Sequence, residues 1–318
     1  MPNKIMLAAA LVFGATAVTA ETVRIGLQPW LGYGPLWVAE EKGYFDKHGV
    51  DVALSSFNWD QDMTAALASG NLDMIATATN AVIAAYNQGV DQKGVLVMDV
   101  AHEADAILAG ENVNSLEDLR GKTVAFETGA TSDLLMNYAL KASGMSLADV
   151  EHIPMGASEA GLALLSGRVD AAVTYEPYVS AALGRDAGYK VVYTAAEKPG
   201  LISDLLTARG DWIAENPDAV EAVIRAWNDA VVFIHENPED GGAMIARAVG
   251  SPMEEFQPAF EGVRLYDLAD NIALVDGEFP ATLREIAEIM KATNPGEISI
   301  IPAATDIMAL EPMHNAAN

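Results

Sequence analysis

Apolar positions recur along this chain in short blocks that switch between two periods. Residues 22–28 alternate with period two, as a half-buried strand does, and residues 36–42 are apolar at helical spacing up to a Gly43 stop. The same order then returns. Strands are expected at 50–56, 72–77 and 94–100, with a helix at 58–67 that Asp60 and Asp62 open, and another at 82–88 closed by Gly89. A second series follows. It has a capped turn at 115–122, strands at 123–127, 150–154, 171–175 and 189–193, and helices at 134–142 and 158–166. A last strand is expected at 201–208. Beyond it the spacing is helical: Pro217 leads a long helix over 218–234, and helical segments continue from 238 to 291. Strands alternating with helices define an α/β class.

One phrase occurs twice. Leu67-Ala68-Ser69-Gly70-Asn71-Leu72-Asp73 is matched by Leu164-Leu165-Ser166-Gly167-Arg168-Val169-Asp170. Each copy reads as a helix end, a glycine stop, an aspartate and then a short buried strand, and each strand ends at a polar residue, Asn80 or Glu176. Asp73 and Asp170 follow the glycine turns and are expected to fix them. Ligands of open α/β sheets sit beyond the carboxyl ends of the strands. Two copies therefore imply two lobes, each offering strand ends to a shared cleft. With crossings near 103–110 and 195–208, residues 21–104 and 205–318 form one lobe and residues 105–204 the other. A double crossing of this kind is a hinge.

Composition narrows the chemistry. Residues 1–20 pair Lys4 with an apolar run and a Val18-Thr19-Ala20 end, the pattern of a cleaved secretory signal peptide. No later apolar run is long enough to span a bilayer, so the mature chain is expected to be soluble. The 318 residues include no cysteine, which removes disulfides, thiolate nucleophiles and Cys-based metal sites. An exported chain without cysteine fits a bacterial periplasm. The net charge of -27, from 45 acidic and 18 basic residues, argues against a nucleic-acid partner. The five histidines are dispersed and show no metal spacing, and no cofactor fingerprint is present.

Several segments together resemble one family. They are Pro35-Leu36-Trp37-Val38-Ala39 with Lys42-Gly43-Tyr44-Phe45, the 67–73 phrase, Leu116-Glu117-Asp118-Leu119-Arg120-Gly121-Lys122, Gly167-Arg168-Val169-Asp170-Ala171-Ala172, and Tyr175-Glu176-Pro177. In this order they resemble the periplasmic solute-binding proteins of nitrate, taurine and aliphatic-sulfonate ABC importers, whose fold is shared with thiamine-precursor binding and synthesis proteins. The resemblance spans residues 22–310. It implies a two-lobed venus-flytrap fold in which each lobe is a mostly parallel sheet flanked by helices. It also implies an inner-membrane ABC permease as partner, a small solute as ligand, no cofactor and no catalysis. A monomer suits such a shuttle.

The solute must be argued from the strand ends. These offer Trp30 and Tyr33 after the first strand, Trp59 and Asp60 after the second, Asn80 after the third and Glu103 after the fourth. Glu127, Thr131 and Ser132 follow the fifth, Glu176 the repeated one, and Asp204 lies inside the returning strand, with Asp211 and Trp212 in the loop beyond it. His102 stands beside Glu103. Trp37, Tyr44 and Trp227 sit at helical spacing and are expected in the core. The candidates are rich in aromatic rings and carboxylates and contain no Arg or Lys. Carboxylates and aromatic faces suit an ammonium group, each cation–π contact contributing about 0.5–2 kcal/mol. The helix start at Thr131-Ser132 suits an acidic end. A small amine-bearing or zwitterionic, taurine-like solute is therefore favoured. An alkanesulfonate, nitrate or a pyrimidine, a sensory-adaptor role, and a pyrimidine-synthase-like enzyme stay open as alternatives.

Overall fold

The computed structural model describes residues 22–185 and 188–318; the expected signal peptide lies outside the described residues. The strands are β1 (Val23–Leu27), β2 (Val52–Ser56), β3 (Met74–Ala78), β4 (Gln92–Ala101), β5 (Asp105–Ala109), β6 (Thr123–Phe126), β7 (Glu151–Pro154), β8 (Ala171–Tyr175), β9 (Lys190–Thr194), β10 (Ser203–Arg209) and β11 (Val263–Leu265). They form two sheets. One has the order β11-β4-β10-β3-β1-β2, the other β7-β6-β8-β5-β9. Helices flank both, as expected for two α/β lobes joined by two crossings.

The repeated phrase is also repeated in space. Gly70 and Gly167 both take the left-handed conformation, at φ 75° and 69°, which lets the chain reverse after a helix without a Cβ penalty. Asp73 then accepts from the Arg24 backbone N–H at 2.8 Å, and Asp170 accepts from the Thr123 backbone N–H at 3.0 Å. In each lobe the aspartate thus ties the start of one strand to its parallel neighbour, β3 to β1 and β8 to β6. The expectation that these two residues fix turns rather than meet solute agrees with that placement.

The sheets depart from the mostly parallel expectation: both are mixed. β4 leaves the first lobe and β10 returns to it, so these neighbours run antiparallel. β5 enters the second lobe and β9 leaves it, and they too run antiparallel. A chain that crosses twice must travel both ways through each sheet. The crossings themselves are short. β5 begins at Asp105, inside the segment expected to hold the first crossing; its run Asp-Ala-Ile-Leu-Ala is buried on both faces and shows no alternation. β11 and the Tyr178–Leu183 helix were likewise not apparent from periodicity.

The 20-residue helix Pro217–Glu236 packs on the Gly34–Glu41 helix of the first lobe, and Trp227 at its centre is fully buried, its indole N–H donating to the Tyr266 carbonyl at 2.9 Å. The Phe279–Thr293 helix touches both the Thr79–Asn87 and the Thr131–Ala142 helices, so it bridges the lobes. No helix among the described residues is long and apolar enough to cross a membrane.

Candidate functional site

The two lobes meet over a cleft built from strand ends. The first lobe supplies Gln28, Trp30 and Tyr33 beyond β1, Asp60 at the start of the Asp60–Ala68 helix, Ala78 at the end of β3, and Ile202 and Asp204 at the start of β10. The second supplies Asp105 at the start of β5, Ala130, Thr131 and Ser132 where the Thr131–Ala142 helix begins, Ala157, and Thr174 and Tyr175 at the end of β8. The walls touch. Trp30 and Tyr175 meet edge to face across the gap, with ring centroids 5.8 Å apart. About 30 Å3 of free volume is left between the walls, room for about two waters. The lobes are closed, and an organic solute enters only when they part.

Closure is held by polar contacts at the rim. Glu127, just beyond β6, reaches across and accepts from the backbone N–H of Asp60 at 2.8 Å and of Gln61 at 3.4 Å. A carboxylate of one lobe thus caps a helix of the other; Trp59, at the N-cap position itself, makes no side-chain cap bond. Gln61 Nε2 donates to the Thr128 carbonyl at 3.0 Å, and Thr131 Oγ1 to Asn80 Oδ1 at 3.5 Å. Gly156 approaches so closely that a Cβ there would lie 2.5 Å from the Asn58 carbonyl oxygen.

Three carboxylates line the cleft: Asp60, Asp105 and Asp204. No Arg or Lys among the described residues lines it. Burial raises the Asp60 carboxyl to about 6, against a weaker opposing hydrogen bond from Thr77. Burial, then the charge on Asp60, raises Asp204 to about 7, although hydrogen bonds from Asp99, Tyr33 and Trp30 favour its ionised form. Asp105 is pushed well up by burial, then by the charges of Asp204 and Glu176. Behind this wall lies Asp99, fully buried, which accepts from the Trp30 indole N–H at 3.1 Å and is hydrogen-bonded to Asp204. Its carboxyl is pushed well above the usual carboxylate range, first by burial and then by the Asp204 charge. Glu127 rises to about 8, from burial and then the Asp60 charge. The site is a set of acids with no internal counter-charge.

The sequence-derived candidates divide. Trp30, Tyr33, Asp60, Thr131, Ser132 and Asp204 line the cleft. Asn80 is buried one step away, at the lobe contact with Thr131, and Trp59 is half-buried on the rim with its indole nitrogen near Gly156. Glu127 is the interlobe cap. Glu176 is turned inward, where its carboxylate accepts from the Ser180 N–H and hydroxyl and caps the Tyr178–Leu183 helix. Glu103 is exposed in the crossing turn; the acid that reaches the cleft is Asp105, because β5 starts there. His102 lies beside Pro199 and Gly200 at a separate cavity near the crossings. Asp211 and Trp212 fall at the opposite end of the lobe, on the Gly210–Glu215 helix. Asp204 pairs with Ala78 at the cleft end of β3 and Ala208 with Met74 at its far end, so an antiparallel strand carries its continuation away. Gln28, Asp105, Thr174 and Tyr175 were missed; the available signal was that each is a polar residue at the edge of an apolar run.

With this geometry in place, the chain's relatives can be compared. Residues 31–241 match the NMT1/THI5 like family model, and the chain belongs to that family. It is 31% identical over 225 residues to a Bacillus subtilis (strain 168) protein named for binding aliphatic sulfonates, covering 69% of this chain and 67% of that one. The fold matches the periplasmic aliphatic sulphonate binding protein from Escherichia coli with a TM-score of 0.71 at 22% identity, over 91% of this chain and 98% of that one. It matches the periplasmic nitrate-binding protein from Synechocystis PCC 6803 with a TM-score of 0.74 at 17% identity, over 94% and 89% of the two chains. The architecture is thus that of periplasmic binding proteins, two lobes closing on a cleft.

Proposed function

We propose that this chain is the solute-binding component of an ABC importer, working in the periplasm. It captures a small organic solute with an ammonium or amidinium group between its lobes and delivers it to an inner-membrane permease without making or breaking a bond. The observation that carries the cationic reading is the lining itself: Asp60, Asp105 and Asp204 beside Trp30, Tyr33 and Tyr175, with no basic residue. Buried carboxylates without a partner are costly, and a bound cation supplies the missing charge. A zwitterion such as taurine fits both walls, its acidic end toward the Thr131–Ala142 helix, whose N-cap residue Ala130 offers no side-chain acceptor to the first-turn N–H groups. The exported compartment, the permease and the monomeric state are part of the same proposal. They rest on the segment at 1–20 and on the relatives' roles, and a sensory membrane partner is the variant that neighbouring genes would reveal.

A second reading has an observation of its own. The relatives are named for sulfonates and nitrate, and protonated carboxyls could donate hydrogen bonds to an anion. The two readings differ in the sign of proton linkage. Acids raised to about 6 and about 7 must ionise to hold a cation, so binding releases protons and tightens as pH rises from 5 to 8. An anion held by protonated acids takes protons up and binds more tightly as pH falls. Calorimetry of taurine, ethylammonium, ethanesulfonate and nitrate in two buffers of different ionisation enthalpy measures that sign. A thermal-shift screen finds the ligand first, because one present at 1,000 times its Kd adds about 4 kcal/mol of stability. Tight binding of nitrate and ethanesulfonate with proton uptake, and none of the amines, would replace the cationic reading with the anionic one.

A further inference from the structure

Most polar side chains of the cleft are committed to protein partners. Thr174 Oγ1 donates to the Ala157 carbonyl at 2.7 Å, and Ser132 Oγ bonds both the N–H and the carbonyl of Glu127. The Tyr33 hydroxyl lies close enough to Asp204 to favour its ionised form, and Ser158 lies close to the hydroxyl of nearby Tyr178. Two lining side chains are different. Gln28 Nε2 and the Tyr175 hydroxyl are buried and find no partner among the described residues, and Gln28 and Tyr175 are only 7% and 6% exposed. Tyr175 is fixed in place by the Trp30 ring at 5.8 Å and the Tyr178 ring at 5.7 Å, and its hydroxyl lies within the field of Asp60, Asp105 and Glu127 without bonding any of them. Packing decides its direction, not a hydrogen bond. Buried donors are almost always paired in folded proteins, and those that are not call for a reason.

The reason is a ligand atom. When ionised, the three carboxylates accept hydrogen bonds and attract a positive group; an amide N–H and a phenol O–H donate. A cleft holding both kinds is not completed by a bare alkylammonium, which has no acceptor. We propose that Gln28 and Tyr175 are the specificity-determining donors of this cleft, reading an acceptor oxygen that the solute carries close to its cationic group. The proposal rests on the cationic reading above and adds to it that the solute is bipolar. It also implies that the free protein keeps two donors without a protein acceptor, accepting lower stability for recognition.

Two substitutions test it, Tyr175→Phe and Gln28→Met, each removing the donor at nearly constant size. The first readout needs no ligand. If the donors are unpaired in the free cleft, the melting temperature of the free protein holds or rises by about 2–4 °C in each variant. A fall of that size in both means that they serve the fold, and overturns the proposal. The second readout is calorimetry with taurine, ethylammonium and ethanesulfonate. Wild type is expected to bind taurine about tenfold more tightly than ethylammonium, and the double variant to close that gap to within about threefold, as two neutral hydrogen bonds warrant. An ethylammonium affinity equal to that of taurine, or a gap that survives in the double variant, overturns the donors' role and leaves the cationic reading standing. Tight ethanesulfonate binding with no response to ethylammonium overturns the cationic reading instead. The donors then stand if the double variant loses about tenfold toward ethanesulfonate, and fall if it does not. Should none of the three probes bind, the melting temperatures decide.

Discussion

The two lobes begin their repeated segments alike and end them differently. In both, a left-handed glycine reverses the chain and an aspartate binds a backbone N–H at the start of the neighbouring strand. At the other end β3 runs through Ala78 into Thr79 and Asn80, small residues that open a helix, whereas β8 ends in Tyr175 and Glu176, one facing the cleft and one turned inward to Ser180. The first lobe gives the cleft two acids and two aromatic rings, Asp60, Asp204, Trp30 and Tyr33. The second gives one acid, an uncapped helix start and a tyrosine with a free hydroxyl. The far end of each repeat builds the scaffold and is retained; the cleft end is where the two diverge. On the cationic reading proposed above, the first lobe would hold the cationic group and the second would complete the site on closing.

The largest effect expected from breaking that division is on the acids of the first lobe. Asp204→Asn should cost an ammonium ligand roughly 10–100-fold in affinity, the about 1.5–3 kcal/mol of a hydrogen bond to a charged group, measured by calorimetry at pH 8. The same variant should melt higher than wild type at that pH without ligand, since it no longer buries a carboxylate. Next is closure. Gly156→Ala puts a Cβ where the Asn58 carbonyl sits 2.5 Å away. We expect the lobes to be wedged apart and affinity to fall about tenfold, about 1.4 kcal/mol, while solution scattering reports a larger radius of gyration with ligand present. Glu127→Ala removes the interlobe cap and should cost about 1 kcal/mol of closed-state stability, about fivefold in affinity, as helix caps generally do. Glu127→Gln keeps an acceptor oxygen and should cost less than half of that. An equal loss from both would mean that charge, not capping, holds the lobes.

A further expected effect is on the pH dependence of the free protein. Asp60, Glu127 and Asp204, at about 6, about 8 and about 7, hold protons in the folded state that the unfolded chain releases near pH 4. A raised carboxyl means that the native state binds more protons, so stability falls as pH rises from about 4 to about 8. Scanning calorimetry should therefore find a higher melting temperature at pH 5 than at pH 8, a difference that the Asp60→Asn/Asp204→Asn double variant reduces. A cationic ligand should reduce it too, by supplying the charge the cleft lacks.

Much of this molecule was legible before any coordinates. Alternation, or a short apolar run after a glycine turn, located nine of its strands, and glycine stops marked the helix ends, because these patterns are written in neighbouring residues. The duplicated phrase implied two sheets. It did not disclose β5 or β11: a strand buried on both faces has no alternation, and three residues make no period. Among candidate site residues that follow parallel strands of the first lobe, Trp30, Tyr33 and Asp60 reached the cleft, while Trp59 and Asn80 stopped beside it. Asp211 and Trp212 did not, because β10 runs the other way and carries them to the far end.

What the sequence by itself determined is the class, the duplicated turn and an acidic, aromatic inventory with no basic member. Only the tertiary structure decided which acids meet. Asp60, Asp105 and Asp204 are distant in the chain and come together because two sheets face each other. Glu127 leaves the cleft lining to cap a helix of the opposite lobe, and Glu176 turns inward to cap its own. Periodicity is a property of neighbours along the chain. The direction of a strand and the approach of one lobe to another are properties of the whole, set by the burial of apolar faces that no short window contains.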